Sequence, residues 1–483
     1  MKTPRTLIRV AFLALCPLQK KTRRVTFYGR NKNEKGGFDR HQEILNTHTN
    51  ENLSVGEEPN THMARTIYEL HYFHQIPVVG IYLSGLVAFF FLFAIITGVL
   101  THWKNIVNRF YAFTTEGKWK QIWANGHISL GMITLPFQII YAITGALLGL
   151  SILLLAPSAF LLFDGDTNEV VKAVVPEAGI KYDEDAALVE NGVSFTDVFQ
   201  KVSTAYPENE VTYMYTNNYG KEDGTVTVRV DDHVGLAGDG TFVYSYKEGK
   251  LIGAIEPNNK TYAKGAYNVL IKLHYVTYGG IFLKIIYFIL AMITCYIIIS
   301  GVMIWRTARD KPTYTDKQRR FHHRVTKFYL AITLSLFPAV ALIFIANMIV
   351  PMDWEERVFP VNAIFFSGWL IFTVIGLFWN NYRQLNRNYL LIGSVLGLLI
   401  PIANGLVTGD WVWHSLMNKM YFVFGVDATW LVIGVVGLLV CKYKLVTKSE
   451  DDRTAPLKIL TREEELVDME EPTPVLQMVP KKD

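Results

Sequence analysis

The stretch PVVGIYLSGLVAFFFLFAIITGVL, residues 77–100, decides what kind of protein this is. It holds no charged side chain. A helix needs roughly 20 mainly apolar residues to cross a bilayer core about 30 Å thick. Residues 128–155, 275–304, 328–350, 361–379, 389–408 and 422–441 pass the same test. The composition agrees. Apolar residues make up 50% of the 483 and charged residues 19%, with a mean hydropathy of +0.20, whereas a soluble chain carries about a quarter charged residues. The expected fold class is therefore mainly α: a polytopic helical membrane protein of about seven spans. Pro136, Pro338, Pro401, Gly145 and Gly301 fall inside the runs, where neighbouring helices satisfy any freed carbonyl.

Lys and Arg give the expected orientation, because loops rich in them stay on the cytoplasmic side. Span one is followed by Lys104, Arg109, Lys118 and Lys120. Span three is followed by Arg306, Arg309, Lys311, Lys317, Arg319, Arg320, Arg324 and Lys327. Arg383 and Arg387 follow span five, and Lys442, Lys444 and Lys448 follow span seven. The alternate loops are short and not basic. The chain then divides into a polar N-terminal segment, truncated or disordered (1–75), a transmembrane hairpin (76–156), an extracytoplasmic domain (157–273), spans three and four (274–350), spans five to seven (351–442) and a cytoplasmic tail (443–483). Residues 7–18 are apolar but interrupted by Arg9 and followed by Lys20, Lys21, Arg23 and Arg24, too short for a span and without a clear cleavage site. Either a first helix is missing there or span one inserts with its N-terminus outside.

The inserted domain reads as α+β. Ser194 is set to cap a helix with Asp197 three residues on. Phe195, Val198, Phe199 and Val202 give that helix one apolar face. Residues 211–216, 225–230, 241–246 and 251–255 have the composition of strands, the last two joined across Lys247-Glu248-Gly249-Lys250. Nothing in the domain reads as catalytic, which leaves binding, sensing or a structural role.

Twelve histidines are the most informative feature that remains. His71 and His74 stand just before span one, and His274 opens span three at the same level. His102 closes span one and His127 opens span two at the opposite level. His322 and His323 lie among cations, where a solvated role is expected. Imidazole ligates iron well, and a haem in a helical bundle takes two imidazoles from facing helices within apolar walls. The alternative is that such histidines keep a wet polar tip at the membrane interface. Spans one to three lack acids and bases in their centres, which argues against an ion-coupled transporter.

Several short motifs, in order and spacing, resemble one family. They are Glu69-Leu70-His71-Tyr72 with His74 and Pro77, Ile96-Thr97-Gly98-Val99-Leu100-Thr101-His102, Gly126-His127 with Gly131, Leu135-Pro136-Phe137 and Thr144-Gly145. Leu273-His274-Tyr275 with Gly279-Gly280, Ser300-Gly301-Val302-Met303-Ile304-Trp305 and Leu336-Phe337-Pro338 complete the set. Residues 65–410 thus resemble the PepSY-associated transmembrane proteins, among them iron-regulated inner-membrane proteins and ferric-siderophore reductases of bacteria. The resemblance implies a PepSY-like extracytoplasmic domain in the periplasm, a bacterial inner-membrane location and up to two b-type haems. It implies His74, His102, His127 and His274 as haem-iron ligands, with His71 as the alternative to His74. It also implies electron transfer toward ferric iron or a ferric siderophore, from a cytoplasmic flavin reductase or from quinol. No catalytic residue is assigned. There is no G-x-G-x-x-G after a strand and no P-loop, so no flavin or NAD site is expected in this chain, and the lipid bilayer rather than nucleic acid is the surrounding partner. The rival readings are a non-enzymatic membrane-anchored PepSY sensor or scaffold and, more weakly, a transporter component.

Overall fold

A computed structural model describes residues 13–14, 24–32, 38–46 and 63–445, with breaks at 112, 115–118, 152–158, 162–163, 167–170, 172–179, 184, 232–234, 237, 258, 261, 352–353, 355–356 and 380. Among these residues six helices are long and apolar enough to cross a membrane, and a bent helix pair brings the number to seven if it forms one span.

The N-terminal region holds strands the sequence reading did not assign. β1 (Leu13–Ala14) pairs with β4 of the inserted domain, and β2 (Arg24–Lys32) and β3 (Phe38–Asn46) form an antiparallel pair. α1 (Met63–Leu70) leads through a turn to α2 (Val79–His102), the first span.

The second span is not one straight helix. α3 (Trp119–Ile133) and α4 (Leu135–Gly149) meet at Thr134 with a bend of 77°. Pro136 is the cause, since it lacks an N–H and its ring displaces the carbonyl four residues back. Thr134 Oγ1 donates to Leu130 O at the break (2.8 Å). His127 lies inside α3, which begins eight residues earlier at Trp119.

α2 and α4 cross closely through small residues. A Cβ added at Gly149 would lie 2.5 Å from Gly85 Cα, and one at Gly145 would lie 3.2 Å from Ala88 Cβ. Backbones in lipid approach this way because small side chains maximise dispersion contact. The outward side of α2 presents Val87, Phe89, Phe90, Phe93 and Leu100, all exposed, which is costly in water and natural against lipid.

The inserted domain matches its sequence reading closely. α5 (Phe195–Ala205) is followed by β4 (Glu210–Asn217), β5 (Thr225–Asp231), β6 (Gly240–Ser245) and β7 (Leu251–Ile255). The sheet is antiparallel with order β1-β4-β5-β6-β7. Val198 and Val202 of α5 pack on Val211, Met214, Val226, Val228, Val230 and Phe242. Gly249 takes φ 63° in the β6–β7 turn, a conformation glycine adopts without strain. Ser194 caps α5 by accepting from Thr196 N (3.2 Å) rather than through a capping box with Asp197.

The third span also departs from expectation. α6 (Tyr262–Tyr275) ends before a break in which Val276 has φ 54°, and α7 (Gly280–Ala308) is the span. His274 therefore lies in the last turn of α6 and not on span three. Lys272, one half-turn earlier and 4% exposed, donates to Asp231 Oδ1 (2.7 Å) and Gly235 O (2.7 Å) and pairs with Asp239 Oδ1 (3.2 Å). Burial opposes its charge, but the two acids outweigh burial and raise its pKa above the ordinary lysine value. This clamp ties α6 to the sheet. Breaking a buried pair costs about 3–5 kcal/mol. Both acids are partly exposed, so Lys272→Met should cost about 2 kcal/mol, read as a lower unfolding temperature with β-content retained. An unchanged temperature would show that the clamp contributes nothing.

The remaining elements are α8 (Asp316–Leu334), α9 (Leu336–Ile349), α10 (Val358–Phe378), α11 (Tyr382–Thr408), α12 (Val412–Met417) and α13 (Tyr421–Val440). The fourth span lies on a helix that joins α8 and α9 across Ser335, three residues before Pro338; that helix begins with a charged stretch at Asp316, ahead of the apolar run. Leu330, Ala331, Leu385 and Tyr389 form one part of the core, and Ala341, Ile400 and Trp430 another. Tyr389 Oη donates to Phe372 O (2.6 Å).

Candidate functional site

The turn between α1 and α2 brings a histidine to the end of α6. Backbone N–H groups of His71, His74 and Ile76 bond Tyr68 O (3.1 Å), Glu69 O (3.1 Å) and Phe73 O (2.9 Å). Phe73 and Val78 take positive φ (57° and 63°), which non-glycine residues rarely adopt. The result places the His71 and His274 rings with centroids 6.3 Å apart and planes at 50°. Tyr68 and Tyr275 join their hydroxyls beside the pair (2.9 Å).

His274 is held firmly. Its Nδ1 lies 2.9 Å from Thr144 Oγ1 on α4, and that hydroxyl sends its one proton to Ile140 O (2.7 Å). When that hydroxyl donates to Ile140 O it accepts from the imidazole Nδ1–H, the tautomer in which Nε2 keeps a lone pair. Tyr141 packs its ring at 5.3 Å and donates to His274 O (3.3 Å). Phe137 and Tyr287 close the apolar wall around Tyr141. Burial, and secondly the neighbouring His71, lower the His274 pKa below the ordinary histidine value. The ring is therefore neutral at physiological pH, the form that binds metals.

The structure does not bring His74 to this place. Its side chain is 57% exposed, and its Nε2 stands 3.9 Å from Glu69 Oε1, which also accepts from Arg65 Nε (2.5 Å). His71 is the partner of His274. His102 is the final residue of α2. His127 has Nδ1 at 3.0 Å from both Ile297 O and Ser300 Oγ of α7. A carbonyl only accepts, so Nδ1 again carries the proton. Gly301 makes room for this ring, since a Cβ there would lie 3.3 Å from His127 Cε1. His322 and His323 are partly buried rather than solvated. His322 stands edge-on to Trp305 (5.3 Å), and His323 Nδ1 meets Tyr382 Oη (2.8 Å).

Thr144 and Ser300 are the site residues that sequence reasoning passed over. Both occur in the motifs Thr144-Gly145 and Ser300-Gly301, which was the available signal.

Two imidazoles ligating one metal from opposite sides at about 2 Å each hold their centroids roughly 6 Å apart, and the His71–His274 spacing fits. Among the described residues no three His, Cys, Asp or Glu side chains converge. A haem iron, which has four porphyrin nitrogens, asks the protein for no more than axial ligands.

Fold and site together define a polytopic helical membrane protein with an inserted α+β module and an imidazole pair in which His71 is exposed and His274 half-buried. The chain belongs to the family described as the PepSY-associated TM region, whose model matches residues 12–308. No curated protein matches the chain.

Proposed function

We propose that the protein is a membrane haem-b electron-transfer protein that passes electrons to ferric iron, free or in a siderophore. His71 and His274 are the axial ligands of one haem, and His127 is a ligand of a second. The observation that carries this reading is the 6.3 Å imidazole pair with His274 Nδ1 held 2.9 Å from Thr144 Oγ1. The alternation of basic loops favours a bacterial inner-membrane location with the α+β domain periplasmic and the C-terminus cytoplasmic. Electrons then enter from a cytoplasmic flavin reductase or from quinol.

A bound haem supplies a one-electron carrier that changes oxidation state without leaving its site. The chain's own residues do the rest. Thr144 and Ser300 orient their imidazoles and fix the ligating nitrogen. Phe137, Tyr141 and Tyr287 exclude water from the His274 side, and a drier wall tunes potential as much as the ligands do. Thr144→Val keeps the shape and removes the Nδ1 acceptor. It should weaken haem retention about tenfold and shift the midpoint potential, while the helical circular dichroism stays unchanged. Equal retention and an unchanged potential would show that Thr144 positions nothing.

The function is tested on right-side-out vesicles. With quinol supplied, a membrane-impermeant ferric chelate added outside should reoxidise the reduced haem. Reoxidation by the same chelate from the cytoplasmic side alone would reverse the proposed direction, and none from either side would end the reductase reading.

A further inference from the structure

Among the described spans one acid lies away from a helix end, and the haem reading does not use it. Asp427 follows Tyr421, the first residue of α13, by six positions, roughly 9 Å along the helix. It is 1% exposed. Its hydrogen-bond partner among the described residues is Asn404 of α11, itself 3% exposed, whose Nδ2 donates to Asp427 Oδ2 (2.9 Å). The same Nδ2 donates to Asp410 O (3.0 Å). A carbonyl only accepts, so the nitrogen of the amide, and not its oxygen, faces the carboxyl. Thr408 Oγ1 stands at the other end of the amide, 3.1 Å from Asn404 Oδ1. Asp427 Oδ2 therefore accepts, and a proton on this carboxyl sits on Oδ1.

Among the described residues no Lys, Arg or His pairs with Asp427. α13 packs on α11 and α12, and Trp430 of α13 packs with Ala341 of α9. α9 has no ionisable side chain. Those of α11 (Tyr382, Arg383, Arg387 and Tyr389) all precede Leu390, far from Asn404. Lys442, Tyr443 and Lys444 follow the far end of α13. Near its start His414, Lys419 and Tyr421 are exposed, and His414 Nδ1 faces Gly409 O (3.2 Å). An ionised carboxylate buried in a bilayer against one neutral amide is costly, whereas the neutral acid keeps the same hydrogen bond.

The pair is sealed on one side only. Trp430, three residues after Asp427, and Ile400, four before Asn404, share its helix faces one turn deeper and pack with Phe337, Ala341 and Phe344. In the other direction Asn404 is one turn from Thr408, which is exposed. We infer that Asp427 is a proton-binding site, occupied at physiological pH and exchanging with water at the α12 end of α11 and α13, with Asn404 as its positioning residue. The Oδ1 proton passes to water on release and leaves a carboxylate on Asn404 Nδ2; no electron moves.

The test is infrared spectroscopy of the full chain in lipid nanodiscs. At neutral pH the wild type should show the C=O band of a protonated carboxyl, which shifts down in D2O and is absent from Asp427→Asn. Asn404→Leu removes the donor to Oδ2 and should move the band to higher frequency without abolishing it. Asn copies the shape of the neutral acid, so Asp427→Asn should fold. A carboxyl that is neutral in the fold and ionised in the unfolded chain makes stability fall as pH rises. From mildly acidic to alkaline pH the wild-type unfolding temperature should therefore drop more than that of Asp427→Asn. A neutral-pH spectrum without a carboxyl band that Asp427→Asn removes, or equal losses of stability, overturns the inference. A band that D2O leaves in place overturns the exchange with water, and an unchanged frequency in Asn404→Leu overturns the positioning role.

Discussion

His274→Ala should remove about half the haem of a chain that carries two, because loss of an axial imidazole turns a six-coordinate site into a weaker five-coordinate one. The residue touches the turn after α1 through His71 and touches α4 through Thr144 and Tyr141. His71→Ala should behave alike. His74→Ala should leave the spectrum unchanged, since that ring points at Glu69 and solvent. Haem content by pyridine haemochrome, normalised to protein, measures all three. If His74→Ala loses the haem and His71→Ala keeps it, the turn between α1 and α2 is arranged differently from what is described above.

Gly149→Leu should be strongly destabilising. The new Cβ would meet the backbone of Gly85, which has no side chain to swing away. Overpacking of this kind costs about 3 kcal/mol. Because α4 also carries Thr144 and Tyr141, the substitution should lower both unfolding temperature and haem retention. Gly98→Leu is the control, as a Cβ there meets nothing within 4 Å, and should change stability by less than about 0.5 kcal/mol. Equal unfolding temperatures for the two variants would show that the α2–α4 crossing is looser than its small residues suggest.

What the sequence disclosed follows from how local each signal is. Apolar length is a local property, so the spans were readable. The strands of the inserted domain were readable for the same reason: residues 211–216 and 225–230 of β4 and β5 alternate, and β6 and β7 flank a turn. The bend at Thr134 was harder to foresee, since Pro136 and Pro401 look alike in sequence while only the first accompanies a break between helices. The choice between His71 and His74 was not readable at all. It depends on Phe73 and Val78 adopting positive φ, and neither residue advertises it. Thr144 and Ser300 were hidden for another reason. A hydroxyl within a span ordinarily bonds the carbonyl one turn back, as both do, and only the fold shows that each also meets an imidazole on another helix. His274 was assigned to the start of span three because residues 275–304 are mainly apolar. Composition does not register the break at Val276.

The most direct measurement is the visible absorption spectrum of the full chain purified from haem-competent, iron-replete cells. The proposed bis-imidazole site predicts a Soret band and, after dithionite reduction, a sharp α-band of low-spin haem b. A colourless preparation of folded protein would contradict it and leave the inserted domain's binding of a peptide or protein partner as the reading to pursue.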